Sequence, residues 1–135
     1  MRFLLDTHIL VWALSGESSL LSDEVIGLIN DRNNEIYYSA ASVWETAIKN
    51  KVRPGQMGIT ELDMIRFCDR SDYRQLAITR EHAAAVSTLH LQENAPRHKD
   101  PFDMLLLAQA KYENMRLISH DEKLKYYNEP CLMLM

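Results

Sequence analysis

At 135 residues the chain has the common size of one domain and is long enough to bury one hydrophobic core. Its 47% hydrophobic and 25% charged residues are ordinary for a globular protein, which excludes a disordered chain. The net charge of −4 argues against a protein that holds nucleic acid through a broad basic face. A nuclease is still compatible with this charge, because bound metal ions supply positive charge locally.

Cysteine, histidine and hydropathy patterns exclude further classes of protein. The two cysteines lack C-x-x-C spacing, which fits a reducing cytosol, and the five histidines lack zinc-ligand spacing. The opening MRFLLD is apolar for only three residues before its acid, so we expect no signal peptide. No apolar run approaches the length of a membrane span. These patterns predict a cytoplasmic protein that makes no contact with a membrane.

Short apolar runs alternate with amphipathic segments along the whole chain. In chain order they predict strand 2–5, helix 8–14, helix 23–32, strand 36–39, helix 42–50, helix 59–69, strand 76–78, helix 80–89, helix 101–112, strand 117–119 and strand 131–134. Ser22 and Thr79 are predicted N-caps. This alternation predicts one α/β domain over residues 1–135, with a mostly parallel central sheet and helices on both of its faces.

Four acidic residues lie where a helix is predicted to begin: Asp6, Glu45, Asp103 and Asp121. Three of them follow an apolar run that is typical of a buried strand. The chain leaves every parallel strand at the same edge of an open α/β sheet, so we expect these acids to converge. Crowded carboxylates repel one another, and their oxygens suit hard divalent cations. The sequence therefore predicts a site for Mg²⁺ or Mn²⁺.

Each acid also has a purely structural explanation. Asp6 and Asp121 are suitable N-caps for the segments that follow them. Ser42 and Glu45 match an S-x-x-E capping box, and Lys49 is spaced for an i,i+4 ion pair with Glu45. Glu45 nevertheless lies on a helix with an apolar face, which predicts its partial burial. The argument for a metal site therefore depends on the four acids jointly.

The segment Asp100-Pro101-Phe102-Asp103 has the composition of a first helical turn, with Asp at the N-cap, Pro at N1 and Asp at N3. Residues 104–108 are apolar on nearly all sides and predict a buried helix. An acid that leads a buried helix is expected to face a pocket or a partner charge.

Other enzymes with an acid after the first strand fit less well. A haloacid-dehalogenase-type phosphotransferase requires a second Asp two positions after Asp6, where His8 stands, and a P-loop requires a Gly-Lys-Ser/Thr that the chain lacks. A receiver-type phosphoacceptor requires an acidic pair after the first strand and a Lys after a late strand, whereas this chain offers single acids, Asp6 and Asp121. Basic clusters at 49–53 and 97–99 lie near the site acids, although solvated surface charge is their simpler interpretation.

Four segments, in order, resemble the PIN-domain ribonucleases, specifically the VapC-type toxins of bacterial toxin–antitoxin pairs. These segments are LLDTHILVWAL, YSAASVWETAIKNKV, RHKDPFDMLLLAQA and LISHDEKL. The DPFD…LLLAQA segment and the S-x-S/A-x-W-E-x-A-x-K pattern are specific to one branch of that family. The resemblance maps the family's acidic metal site onto Asp6, Glu45, Asp103 and Asp121, and places the hydroxyls of Thr7 and Ser119 beside it.

Three positions mark this chain within that branch. Asp100 is an additional acid of the DPFD type. Met104 stands where the branch often carries an Arg, which removes one expected phosphate contact. Ser119 replaces a common Thr two residues before the last acid and keeps its hydroxyl.

The resemblance implies a small α/β sandwich, usually a homodimer, that hydrolyses RNA with Mg²⁺ or Mn²⁺ and leaves a 5′-phosphate and a 3′-hydroxyl. It also implies a cognate antitoxin that covers the acidic groove. The alternative is a catalytically weak or inactive PIN-like domain that only binds a partner. Loss of site acids would indicate that alternative, and all four acids are present.

Overall fold

The structure is a computed structural model that describes residues 1–97 and 100–135. Its strands are β1 (Arg2–Leu5), β2 (Glu35–Ser39), β3 (Arg74–Leu76), β4 (Arg116–Ser119) and β5 (Leu132–Leu134). Its α-helices are α1 (Thr7–Leu14), α2 (Asp23–Asn30), α3 (Ala40–Val52), α4 (Glu61–Arg70), α5 (Arg80–Ala85) and α6 (Pro101–Glu113). Short 3₁₀ turns lie at Ser18–Leu20, Val86–Thr88 and Glu122–Tyr126. Most of the predicted basic cluster 97–99 lies outside the described residues.

The five strands form one sheet in the order β3-β2-β1-β4-β5, and every neighbouring pair is parallel. This confirms the predicted α/β class, the parallel sheet and the last strand. The chain winds outward from β1 in one direction through β2 and β3, and in the other through β4 and β5. Open α/β sheets bind ligands outside the carboxyl ends of the strands where this direction changes, which here means β1 and β4.

Two hydrophobic cores lie on opposite faces of the sheet, because successive side chains of a strand point to opposite sides. Phe3 and Leu5 of β1 belong to a core with residues of α1, α2 and α4. Leu4, between them, belongs to a second core with Leu106 and Leu107 of α6. Helices therefore cover both faces, as predicted. In the part of the chain that the structure describes, no helix has the length and hydropathy to cross a bilayer.

Several caps confirm the local predictions. Ser22 accepts a hydrogen bond from the Val25 N–H at the start of α2. Thr79 caps α5 and accepts a hydrogen bond from the His82 N–H, and the His82 ring accepts one in return from the Thr79 N–H. Asp100 caps α6, with Pro101 in the first turn.

The predicted capping box of Ser42 and Glu45 is wrong. Helix α3 begins earlier, at Ala40, and its N-cap is Ser39, whose hydroxyl accepts the Ala41 N–H. Glu45 is consequently the sixth residue of the helix, inside it rather than at its start. The error arises because the last residue of β2 is itself the cap, so no loop separates the strand from the helix.

Most other elements differ from their predicted bounds by one or two residues at an end, and the predicted strand 76–78 and helix 80–89 differ most. Strand β3 lies two residues earlier than predicted because it pairs with β2 only as far as Ser39, whose partner is Leu76. The helix predicted over 80–89 is α-helical only to Ala85 and continues as a 3₁₀ turn. The segment after Asp121 is also a 3₁₀ turn rather than an α-helix.

Candidate functional site

Asp6 lies beside the carboxyl ends of β1 and β4, where the direction in which the chain adds strands to the sheet changes. It follows β1, is 4% exposed, and its main-chain N–H continues the pairing with β4 by donating to the Ile118 carbonyl at 3.0 Å. Its Oδ1 accepts the Thr7 N–H at 2.7 Å, which confirms the predicted N-cap of α1. Its Oδ2 accepts the hydroxyl of Ser119, the last residue of β4, at 2.6 Å. The carboxylate is thus held from both strand ends.

Glu45 reaches the same place from α3 and is 5% exposed, so its predicted burial is confirmed. The Thr7 hydroxyl donates to Glu45 Oε1 at 2.8 Å. Because that hydroxyl has one proton, the Ser42 hydroxyl must donate to Thr7 in their 2.9 Å contact. Lys49 Nζ lies 2.7 Å from Glu45 Oε2 and forms the predicted i,i+4 pair. Sequence reasoning gave Ser42 a capping role and therefore missed this link.

Asp103, in the first turn of α6, is the acid most perturbed by its surroundings. It is 7% exposed. Burial raises its pKa to about 9, with further contributions from the Asp6 charge, a hydrogen bond with Asp121, and the Asp100 and Asp121 charges. A hydrogen bond between two carboxyl groups requires one proton, so Asp103 and Asp121 share a proton, and the surroundings of Asp103 favour its neutral form.

The pKa of Asp6 is also raised, first by burial and to a lesser extent by the charge of Glu45. Hydrogen bonds from Ser119 and the Thr7 N–H, together with His8, oppose this change. Electrostatic coupling therefore links Asp6 with Glu45 and with Asp103. Each of the four predicted acids interacts with at least one other at the carboxyl edge of the sheet, since Asp121 contacts Asp103.

The donor set is compatible with a hard divalent cation in its chemistry, since it consists of carboxylate and hydroxyl oxygens. As the side chains stand, no three His, Cys, Asp or Glu residues among those described are arranged to hold a metal ion. The negative charge is offset only in part, by the proton in the Asp103–Asp121 hydrogen bond and by Lys49 at Glu45. A cation would have to displace that proton and draw the carboxylates closer together.

The sequence matches the PIN domain family over residues 3–130, nearly the whole chain. The chain is a PIN domain. PIN domains are nucleases and generally depend on a divalent metal. No curated protein matches the chain.

Three solved structures share the fold of this PIN domain. VapBC2 from Rickettsia felis, bound to a DNA fragment from its promoter, is 20% identical with a TM-score of 0.68, and the match covers 100% of this chain and 98% of that one. DNA-bound VapBC from Salmonella typhimurium is 11% identical with a TM-score of 0.64, covering 100% and 97%. VapBC-1 from nontypeable Haemophilus influenzae is 17% identical with a TM-score of 0.59, covering 91% and 89%. The similar structures are toxin–antitoxin complexes.

Proposed function

We propose that this PIN domain is a metal-dependent endoribonuclease and the toxin of a cytoplasmic toxin–antitoxin pair. One observation carries the proposal: two buried acids, Asp6 and Asp103, lie close enough beside the carboxyl ends of β1 and β4 for the Asp6 charge to oppose ionisation of Asp103. Burying repelling carboxylates is unfavourable unless a ligand compensates for it. Folds tolerate such local conflicts chiefly at functional sites.

Asp6 and Asp103 would hold a Mg²⁺ or Mn²⁺ ion, with Glu45 acting through a water molecule and Asp121 completing the set. When bound, this ion would supply Lewis acidity and lower the pKa of a water molecule. Hydrogen bonds within the chain orient two of these four acids: Ser119 and the Thr7 N–H orient Asp6, while the Thr7 hydroxyl and Lys49 orient Glu45.

The reaction is hydrolysis of an RNA phosphodiester. A water oxygen forms the new bond to phosphorus, the bond from phosphorus to the 3′ oxygen breaks, and the leaving oxygen takes a proton. The products are a 5′-phosphate and a 3′-hydroxyl. Met104, which replaces a frequent Arg of the branch, packs against the second core, so this position adds apolar contact rather than a cation for the phosphate.

The surface beside the acids suits a protein partner. Trp44, Ile48 and Val52 are 55%, 40% and 79% exposed and follow one another at four-residue spacing along α3. Trp44 packs edge-to-face on Phe102, the neighbour of Asp103, at 5.1 Å. We propose that an apolar antitoxin helix covers this stripe and inserts an Arg or Lys near Asp6 and Asp103. A homodimer of the chain is part of the same proposal.

The test is cleavage of RNA by the purified chain, with and without Mg²⁺ or Mn²⁺, followed by sequencing of the RNA ends. We expect cleavage that requires the metal, is lost in Asp103→Asn and is blocked by saturating antitoxin. If the wild-type chain cleaves no RNA with either metal, the alternative of a PIN-like domain that only binds a partner is favoured.

A further inference from the structure

Three aromatic rings lie against one another beside the acidic site. His8 and Trp12 are one helical turn apart on α1, with ring centroids 6.1 Å apart at an angle of 58°. His120, which follows β4, contacts Trp12 edge-to-face at 5.5 Å and 69°. His8 and His120 are exposed and Trp12 is half-buried against the first core. We call these three residues the aromatic platform.

The residues that follow β1 and β4 include both two of the acids, Asp6 and Asp121, and the histidines of the platform. His8 follows Asp6 by two residues, and His120 immediately precedes Asp121. Rings and acids line one cavity of about 210 Å³, formed by Asp6, His8, Trp12, His120 and Asp121. The His120 Nδ1 lies 2.7 Å from the main-chain oxygen of Met135, which restrains its ring. The platform is therefore part of the wall of the acidic site.

The size and charge of this cavity restrict its occupant. Its 210 Å³ is below the roughly 300–1,000 Å³ of typical small-molecule sites, so it has room for about one planar ring. An α-helix, about 10–12 Å across with its side chains, is too wide to enter. In the described parts of the chain, neither Lys nor Arg lines the cavity. A polyanion held here must therefore gain affinity from contacts other than ion pairs with the wall.

We propose that the aromatic platform stacks one unpaired nucleobase of the RNA strand, next to the phosphodiester at the acids. The proposal rests on the proposed function for the identity of the strand. Stacking of bases on aromatic side chains tolerates any base, because every base has a π-face, and it requires no positive charge. A base within a duplex is stacked on its neighbours and cannot reach these rings, so the platform selects single-stranded RNA.

The experiment measures binding of RNA to the full chain in an Asp103→Asn background, which prevents cleavage. The probes are single-stranded oligoadenylate, an abasic ribose-phosphate oligomer of equal length, and an A·U duplex. We expect Trp12→Ala to weaken oligoadenylate binding roughly five- to a hundredfold and to leave abasic binding unchanged. Trp12→Phe, which keeps a ring, should retain most of the affinity. Tyr112→Ala is the matched control and should change neither affinity, since Tyr112 is an exposed aromatic residue outside the cavity lining.

The proposal is overturned if Trp12→Ala lowers oligoadenylate and abasic affinity equally, or if the A·U duplex binds as well as the single strand. The proposal is also overturned if Trp12→Ala binds oligoadenylate as tightly as the parent does, and contact of the rings with a protein partner is then favoured. Should Trp12→Ala fail to fold, the exposed His120→Ala decides by the same comparison. Wild-type cleavage is measured separately. If the Trp12 variants change oligoadenylate affinity as expected but no RNA is cleaved with Mg²⁺ or Mn²⁺, the nuclease proposal fails. The proposal that the aromatic platform stacks a base is then retained.

Discussion

Asp103 and Glu129 are equally exposed, at 7% each, yet their pKa values are shifted in opposite directions. Burial by itself raises the pKa of Glu129, but a 2.6 Å hydrogen bond from the His90 N–H and the charge of Lys111 outweigh burial and lower it. Burial also raises the pKa of Asp103, and there the neighbouring carboxylates raise it further, to about 9. Two acids of equal exposure thus have opposite protonation preferences, and their neighbours differ: hydrogen-bond donors and Lys111 surround Glu129, whereas carboxylates surround Asp103.

The comparison separates a structural acid from a functional one. Glu129 joins the loop at His90 to α6 through Lys111, whose Nζ lies 3.2 Å from Glu129 Oε1 and donates to the Thr88 carbonyl at 2.7 Å. Its charge is compensated within the chain. The charge that Asp103 acquires on losing its proton meets other negative charges instead. A buried acid whose described surroundings favour its neutral form can bind a cation from outside the chain. The contrast between Asp103 and Glu129 leads to four predictions.

The largest expected effect is on catalysis. Asp6→Asn or Asp103→Asn should lower RNA cleavage by about a hundredfold or more, because each removes a charge from the proposed metal site. Glu45→Gln and Asp121→Asn should have similar or milder effects. Cleavage rates at saturating Mg²⁺ provide the measurement, with circular dichroism to confirm folding. Wild-type turnover by Asp6→Asn with an intact metal requirement would remove Asp6 from the mechanism.

The second effect is the response of stability to metal. Mg²⁺ or Mn²⁺ at a hundredfold excess over its dissociation constant should raise the free energy of unfolding of the wild type by ~2.7 kcal/mol. Asp103→Asn should be at least as stable as the wild type in EDTA, because it removes an acid whose ionisation is unfavourable in the folded state, and should respond less to metal. Melting curves of both proteins decide this. A destabilised Asp103→Asn together with a wild type indifferent to metal would contradict the metal site.

Glu129→Ala should have the opposite effects to Asp103→Asn, lowering stability while leaving cleavage unchanged. It removes the acceptor of the His90 N–H and the partner of Lys111, so we expect a loss of about 1–3 kcal/mol in the free energy of unfolding. Cleavage per folded molecule should stay near wild type. Urea unfolding and active-fraction measurements test both parts. If Glu129→Ala is as stable as the wild type but cleaves slowly, the two acids have been assigned the wrong way round.

The smallest effect, taken per pH unit, is the change of stability with pH. Because the pKa of Asp103 is raised from 3.8 to about 9, the folded protein binds more protons than the unfolded one between these values. In EDTA, Asp103 should therefore reduce the free energy of unfolding as pH rises from about 4 to 9. Glu129, with a lowered pKa, contributes stability above its ordinary value of 4.5 and loses it as pH falls through the folded pKa.

Urea unfolding across this pH range gives the slope. We expect Asp103→Asn to flatten the profile between about pH 4 and 9, and Glu129→Ala to flatten it below about pH 4.5. An identical slope between pH 4 and 9 in Asp103→Asn and wild type would show that Asp103 is not the group that binds the proton.

The sequence by itself determined the local features of this protein. The bounds of β1, the N-caps Asp6, Ser22 and Asp100, and the parallel α/β class follow from short-range patterns. A cap bonds to an N–H group one to three residues away. The burial of a strand is visible in the alternation of its own side chains. Neighbours in sequence therefore carry that information.

Only the tertiary structure decided how the acids and rings meet. The S-x-x-E pattern placed Glu45 at a helix start, whereas the fold buries it inside α3 and joins it to Thr7, 38 residues away in sequence. The contact of Trp12 with His120 and the raised pKa of Asp103 likewise depend on where β1 and β4 end side by side. Electrostatic repulsion and ring contacts act over a few ångströms of space, and the strand order, which no local pattern records, sets those distances.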